Sequence, residues 1–188
     1  METDWSVEIG DDLPRIEVPW SDAASGLSFV DLRSRPDAVA EIGESIESPA
    51  LWQALSVLNQ PSSPVFTSKC DLWFLSADEI DPLDFGLLSG AGAGSGCYLD
   101  VLLRDQRAFV SFAAQELWMR ELCAWLSGKD CSGTRAEFVL RPATQGALDG
   151  FALTSYVLAA GENATVANDH FSAALELVSM AMRDVSTR

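Results

Sequence analysis

Apolar and polar residues alternate along five short segments of the chain, and this alternation restricts the fold more than any other feature. Successive side chains of a β-strand point to opposite faces of a sheet, so each segment predicts a strand with two different faces. The last two segments flank a Pro/Gly loop, which predicts a hairpin. The predicted strands are residues 28–33, 65–75, 97–103, 134–141 and 150–158.

Three further segments have the apolar spacing of helices. Pro36 can open the first helix, whereas Pro49 is expected to kink or split it, because proline blocks a helical hydrogen bond. The second helix has a wide apolar arc, which predicts deep packing. The predicted helices are residues 36–59, 112–126 and a last one that begins near 163 or 165. Together the elements predict an α+β fold, with a mixed or antiparallel sheet of about five strands and three helices mainly on one face.

The same pattern divides the chain into an acidic N-terminal arm, residues 1–27, and a single α+β domain, residues 28–188. Two prolines in the arm restrict residues 13–20 to an edge strand or an extended segment. Within the domain, a connector at 76–96 begins as an acidic turn and ends in alternate glycines, which predict a flexible linker. The connector separates a strand–helix–strand unit, 28–75, from a second unit with an added strand and helix, 97–188.

A faint internal repeat relates these two units. Residues 29–32 resemble 98–101, Trp52 corresponds to Trp118, and 69–75 correspond to 135–141. The sequence offsets of 69, 66 and 66 residues are nearly constant, which predicts a duplicated strand–helix–strand unit. Chance similarity is the alternative, since short apolar–acidic–apolar strings are common.

Alternation also predicts which strand residues face the helices. The apolar set on this helix face is Val30, Leu32, Phe66, Cys70, Leu72, Phe74, Leu99, Val101, Leu103, Ala136, Phe138, Leu140, Phe151, Leu153 and Val157. The opposite set, on what we call the open face, mixes both charges with aromatic residues: Asp31, Arg33, Thr67, Lys69, Asp71, Trp73, Tyr98, Asp100, Arg135, Glu137, Arg141, Thr154 and Tyr156.

The open face is the predicted binding surface, because arginine and aromatic residues beside charges are typical of interfaces. A solvated sheet face with cross-strand ion pairs is the alternative. Asp31 and Asp100 are the one carboxylate pair related by the repeat, and ion pairing with Arg33, Lys69 or Arg135 competes with their approach. The candidate binding residues are Asp31, Arg33, Lys69, Asp71, Trp73, Tyr98, Asp100, Arg135, Glu137 and Tyr156.

Charge is concentrated in the first half of the chain. Residues 1–100 contain 18 acidic and 4 basic side chains, and the whole chain has a formal net charge of -16. Such a surface repels phosphate backbones and anionic lipid, so neither nucleic acid nor a membrane is an expected partner. A basic protein partner would be attracted. Genomic base composition, a solubility bias or adaptation to salt would explain the acidity equally well.

Common chemical motifs are not present in the sequence. The four cysteines are Cys70, Cys97, Cys123 and Cys131. They include no C-x-x-C pair, so neither a metal site nor a disulfide framework is predicted. The alternate glycines lack the spacing of a dinucleotide loop. The single histidine, His170, is expected to pack on the last helix. We therefore predict no catalytic residue and no cofactor.

These observations favour a cytoplasmic, non-enzymatic module that binds a protein partner or associates with itself. The open face and the acidic N-terminal half would supply the binding surface. The alternative is a small-molecule-binding domain or an enzyme, with a carboxylate, arginine and tyrosine pocket around Asp31, Asp100, Arg135 and Tyr156 on the same face. The two hypotheses differ in their expected response to salt, which weakens association through exposed charges.

Overall fold

The computed structural model describes residues 1–10, 12–87 and 90–185, and it is an α+β fold built on one open, mixed sheet. The strand order is β1-β5-β6-β4-β3, and β2 also pairs with β5. β1 and β2 run parallel to β5, whereas the other neighbours are antiparallel. The strands are β1 (Glu2–Val7), β2 (Ile16–Val18), β3 (Val65–Ser76), β4 (Ala93–Leu103), β5 (Thr134–Gln145) and β6 (Leu148–Gly161).

Three helices of the described chain exceed six residues, and the α+β prediction is confirmed. Side-chain oxygens of Ser48, Ser111 and Asn163 cap these three helices by accepting a backbone N–H of the first turn. The α-helices are α1 (Gly43–Glu47), α2 (Pro49–Leu58), α3 (Gln106–Phe109), α4 (Phe112–Ser127) and α5 (Ala164–Asp184). Short 3₁₀ helices form at Pro36–Glu41, Ala77–Glu79 and Pro82–Phe85. The predicted helix at 36–59 is thus divided, with Pro49 starting a new helix as expected.

The main core lies between α2, α4, α5 and the helix face of the sheet. Trp118 and Leu122 of α4 are buried with Phe138 of β5 and Leu99 of β4 in one cluster. The apolar area removed from water here supplies the main driving force for folding, about 25 cal/mol per Å². The wide apolar arc of the second predicted helix therefore has its explanation in this packing.

The open face is covered at both ends and exposed in between. At one end, residues 14–29, which we call the strap, cross the face and bury Ile16 and Val18 against Leu102 and Ala152. At the other end, residues of the connector pack Ile80 and Phe85 against Ala160. The strap thus converts part of a flat face into an enclosed surface.

Three local predictions are wrong. Residues 28–33 form a bridge residue and a turn rather than a strand, and the edge position is taken by β1, for which no strand was predicted. The glycine-rich end of the connector is strand from Ala93 onward rather than a linker. Gly96 is required there, because a Cβ atom would lie 2.6 Å from the indole ring of Trp73. Residues 88 and 89 of the connector lie outside the described ranges.

A β-bulge in β3 changes which residues face the helices. Thr67 pairs with Val101 and Cys70 pairs with Leu99, so Ser68 and Lys69 together oppose the single residue between them on β4. Before the bulge, the side chains of β3 therefore face the side of the sheet opposite to the predicted one. Phe66 lies in the open-face cluster under the strap and Thr67 faces the helices, opposite to the prediction for both. Phe74, predicted to be covered, is 58% exposed.

Asn59, at the end of α2, holds the bulge from the helix side. Its Nδ2 donates to the carbonyl of Leu55 at 2.8 Å and to Thr67 Oγ1 at 2.7 Å. Its Oδ1 accepts the backbone N–H of Thr67 at 3.1 Å. Because Asn59 is 4% exposed, water cannot readily replace these bonds.

We predict that Asn59→Ala lowers the free energy of unfolding by about 2 kcal/mol, because the buried N–H of Thr67 loses its acceptor. Urea denaturation measures this change. Ser56→Ala is the control, since Ser56 lies on the same helix, is only partly buried and makes a solvent-exposed hydrogen bond to a backbone carbonyl; its expected effect is below about 0.5 kcal/mol. Equal effects of the two substitutions would contradict the role given to Asn59.

Candidate functional site

Five side chains form one row across the whole open face. Strand register aligns Asp4 with Glu137, Glu137 with Tyr156, Tyr156 with Tyr98, and Tyr98 with Asp71. The row crosses β1, β5, β6, β4 and β3, a distance of about 19 Å at the usual strand spacing. We call this row the trough. Acidic residues occupy both of its ends, and two tyrosines occupy its centre.

The trough lies between the two covered ends of the sheet. The strap bounds it on one side, and the connector residues Ile80 and Phe85 bound it on the other. Asp4 and Asp71 are exposed, and the three residues between them are partly exposed. The rings of Tyr98 and Tyr156 are 6.1 Å apart between centroids and tilted by 55°. Partner atoms can therefore reach every position of the row.

A cavity of about 470 Å³ opens between the strap and the sheet, beside the trough. We call it the strap cavity. The strap supplies one wall, and four strands supply the other. The lining residues are Pro14, Arg15, Ile16, Glu17, Trp20, Ser21 and Asp22 of the strap, with Ser68, Lys69, Tyr98, Asp100, Arg141, Thr154 and Tyr156 of the sheet.

Asp100 lies at the base of the strap cavity and is 8% exposed. Its Oδ1 accepts a hydrogen bond from the hydroxyl of Thr154 at 2.6 Å. Thr154 in turn accepts from Nη1 of Arg141 at 3.1 Å, and the same nitrogen is 3.4 Å from the hydroxyl of Tyr156. Nε of Arg141 donates to Glu8 at 2.8 Å. A buried carboxylate, a hydroxyl and a guanidinium thus form one continuous hydrogen-bonded network.

Burial raises the pKa of Asp100 above its ordinary value, because a carboxylate loses its hydration there. The Thr154 hydrogen bond and the positive charges of Arg141 and Lys69 lower the same pKa, but by less than burial raises it. The pKa of Tyr98 is also raised, first by burial and then by the charges of Asp100 and Asp71. The tyrosine therefore stays protonated and can donate a hydrogen bond.

The bulge and the strap meet at Trp20. Its indole Nε1 donates to the backbone carbonyl of Ser68, a bulge residue, at 3.0 Å. The ammonium of Lys69, the other bulge residue, lies 5.4 Å from the centre of the Trp20 ring. Bulges commonly redirect a side chain beside a binding site. Here the bulge brings Lys69 to the strap cavity.

The structure divides the ten candidate residues into three groups. The first group forms the strap cavity and the trough: the cavity is lined by Lys69, Tyr98, Asp100 and Tyr156, and the trough is completed by Asp71 and Glu137. The second group, Trp73 and Arg135, lies one row nearer the connector, aligned with Gly96 and Leu158.

Asp31 and Arg33 form the third group and lie outside the trough, in a turn. They are paired with each other at 2.7 Å, and the guanidinium of Arg33 lies 4.0 Å from the centre of the Phe66 ring. Asp31 is therefore not brought to Asp100. The ion pair with Arg33, the competing possibility, is what forms.

Sequence reasoning did not select Trp20, Arg141, Thr154 or Glu8 as site residues. Alternation places Arg141 and Thr154 on the open face, but only the strap shows which part of that face is enclosed. Trp20 follows Pro19 in an extended segment. An aromatic residue in such a segment is the one available signal that it docks on the sheet.

Other candidate chemistry has structural explanations. Within the described ranges, no three His, Cys, Asp or Glu side chains are grouped closely enough to hold a metal ion. Burial raises the pKa of the Cys70 thiol to about 12 and that of Cys123 to about 11, so neither is a ready thiolate. Nδ1 of His170 lies 2.8 Å from the carbonyl oxygen of Ala160.

Comparison of the chain with protein-family models, curated proteins and solved structures finds no match in any of the three. Among the described helices, none combines the length and apolar character needed to cross a bilayer. The chemistry of the trough and the strap cavity is therefore the basis for inferring function.

We predict that Asp100→Asn makes the ligand-free protein more stable at pH 7. The variant keeps the shape and the acceptor for Thr154 but removes the buried charge. Because burial raises the pKa of Asp100, the folded protein binds this proton more tightly than the unfolded chain does, and the parent loses stability as pH rises through that pKa. The variant's advantage should therefore shrink as pH falls toward 4.

Urea denaturation across this pH range measures the difference, with the exposed Glu47→Gln as a control expected to change stability by less than about 0.5 kcal/mol. A variant less stable than the parent at pH 7 would contradict the prediction. It would mean that Arg141 and Lys69 more than offset the desolvation of Asp100.

Proposed function

We propose that this protein is a non-enzymatic binding module whose trough accepts an extended, basic segment of a partner protein. The observation that carries this proposal is the trough itself, because a row with acidic ends and two tyrosines in its centre matches a segment with cationic side chains toward its ends and apolar groups in its middle. Its length of about 19 Å corresponds to about six residues of extended chain. Such a segment would cross the strands between the strap and the connector.

Electrostatics supports a basic partner. The chain has a formal net charge of -16, and Asp4 and Asp71 make no salt bridge with the residues that the structure describes. A hollow at the β1 end of the trough adds Glu2 and Asp84 to Asp4, against the single Arg135. Surfaces of one sign attract partners of the opposite sign and accelerate their association.

The two tyrosines add an anchor to the charges. Both are partly exposed, and their ring centroids are 6.1 Å apart. A cationic side chain over an aromatic ring gains about 0.5–2 kcal/mol, depending on its desolvation. Tyrosine is also among the residues that most often dominate binding energy at interfaces.

The sheet edges favour docking on the face over strand addition. On β3, the backbone N–H of Leu72 donates to Asp71 at 2.8 Å, and that of Ser76 donates to Glu79 at 2.9 Å. On β1, the N–H of Trp5 donates to Asp4 at 2.8 Å. These carboxylates thus accept hydrogen bonds from edge N–H groups that an added strand would need as donors. A second copy of the chain would meet a trough of its own charge, so a different, basic protein fits better than self-association.

We also propose a cytoplasmic location for this module. The cysteines Cys70, Cys97, Cys123 and Cys131 are all free thiols, which suits a reducing compartment.

The test is the binding of fluorescent hexalysine, with hexaglutamate as the charge-reversed probe. Hexalysine should bind at low salt and lose most of its affinity between about 20 and 200 mM NaCl, because salt screens exposed charges. The paired substitution Asp71→Asn and Glu137→Gln should weaken binding by about fivefold or more, as the loss of two nearby charges predicts. Fluorescence anisotropy gives both values.

The matched control is Glu176→Gln with Asp184→Asn, which removes the same charge from exposed positions of α5, on the helix side of the sheet. It should change the affinity by less than about twofold, as expected for solvated charges that the sheet separates from the probe. Equal loss in both double variants would show attraction to net charge alone. That result, or no binding of hexalysine at low salt, would contradict the proposed trough.

A further inference from the structure

The strap cavity has features that a peptide-binding trough does not require. Its volume of about 470 Å³ lies within the range of small-molecule sites, about 300–1,000 Å³. Trp20, Tyr98 and Tyr156 give it aromatic walls, whereas the base is polar. A concave site with aromatic walls and a few directed polar groups is the usual form of a ligand pocket.

The carboxylate of Asp100 has unused binding capacity. Oδ1 is occupied by Thr154, but Oδ2 has no hydrogen-bond partner among the described residues. The location is also costly for a charge, because Asp100 is 8% exposed and no basic side chain of the described chain lies within 4 Å of it. A ligand ammonium on Oδ2 would supply the missing counter-charge.

Cationic groups lie on both sides of Asp100. Lys69 belongs to the bulge residues that oppose Asp100 on β4, and within the described chain its ammonium makes no salt bridge. Arg141 is connected to Asp100 through Thr154, and Glu8 neutralises part of its charge. Lysine is rare in this protein, with only one other at position 129. A ligand carboxylate would find a free donor in Lys69 and another in the hydroxyl of Tyr98.

We propose that the strap cavity binds a small zwitterion of the α-amino-acid type, with its ammonium on Asp100 and its carboxylate on Lys69 and Tyr98. A ligand with only a positive charge would be repelled by Lys69 and Arg141. A ligand with only a negative charge would be repelled by Asp100. Both charges together satisfy the two sets of groups, and Trp20 covers the rest of the molecule. This site goes beyond the proposed trough and does not depend on it.

Isothermal titration of the full chain with each of the twenty L-amino acids tests the proposal. At least one should bind with a Kd below about 1 mM, a realistic affinity for a ligand of this size. The amide of that amino acid, which lacks the carboxylate charge, and its N-acetyl form, which lacks the ammonium, should each bind about tenfold more weakly or worse.

Two substitutions test which residue binds the ammonium of the ligand and which binds its carboxylate. Asp100→Asn should weaken binding of the amino acid by about tenfold or more, but it should not weaken binding of the N-acetyl form, which has no ammonium to lose and is no longer repelled by a carboxylate. Lys69→Met should weaken binding of the amino acid more than binding of its amide. Circular dichroism confirms that each variant is folded, and Glu176→Gln with Asp184→Asn, on exposed positions of α5, should retain full amino-acid binding.

Any one of three results would overturn the proposal. The first is no binding by any amino acid at 10 mM, which is about tenfold above the expected Kd. The others are equal binding of the amino acid and its amide, and unchanged binding of the amino acid in Asp100→Asn. Equal binding of the amide would identify a cation site instead. Failure of the trough with hexalysine would leave these measurements unaffected, so the two proposals are tested separately.

Discussion

The β-bulge at Ser68 and Lys69 is the constraint on which the rest of the structure depends. Asn59 holds its helix side by bonding Thr67, and Trp20 holds its other side by bonding Ser68. The bulge resets the alternation of β3, so that Asp71 joins the open face and Lys69 reaches the strap cavity. Core packing and the binding surface are thus connected through one irregularity in one strand.

The strap then divides the open face into two surfaces of different chemistry. Where it crosses the sheet, it encloses Asp100, whose raised pKa reflects a loss of hydration that a stability-optimised core would avoid. Beyond the strap, the trough stays accessible and mostly acidic. Functional sites commonly retain groups that reduce stability, because a ligand restores the missing interaction. Asp100 fits this pattern, whereas the exposed acids of the trough are well hydrated.

Strands β3 to β6, the α+β class and most of the helix face could be predicted, because alternation and helical spacing are local properties of the chain. The pairing of β1 with β5 could not be predicted, since it joins residues more than 130 positions apart. Phe66 was assigned to the wrong face because a bulge leaves no mark in the pattern of apolar residues. The strand at Ala93–Gly96 resembled a linker because Gly96 makes room for Trp73 of β3, and Gly94 makes room for Leu75 and Ile80.

The docking of the strap on the bulge can be measured directly through the indole N–H of Trp20, by nuclear magnetic resonance. Trp20→Phe identifies its signal among those of the six tryptophans. We expect an indole proton that exchanges with water about 100-fold or more slowly than an unprotected indole, and that shows nuclear Overhauser contacts to Ser68 and Lys69. Exchange at the unprotected rate, without these contacts, would mean that the strap does not cover the sheet and that the cavity at Asp100 does not exist.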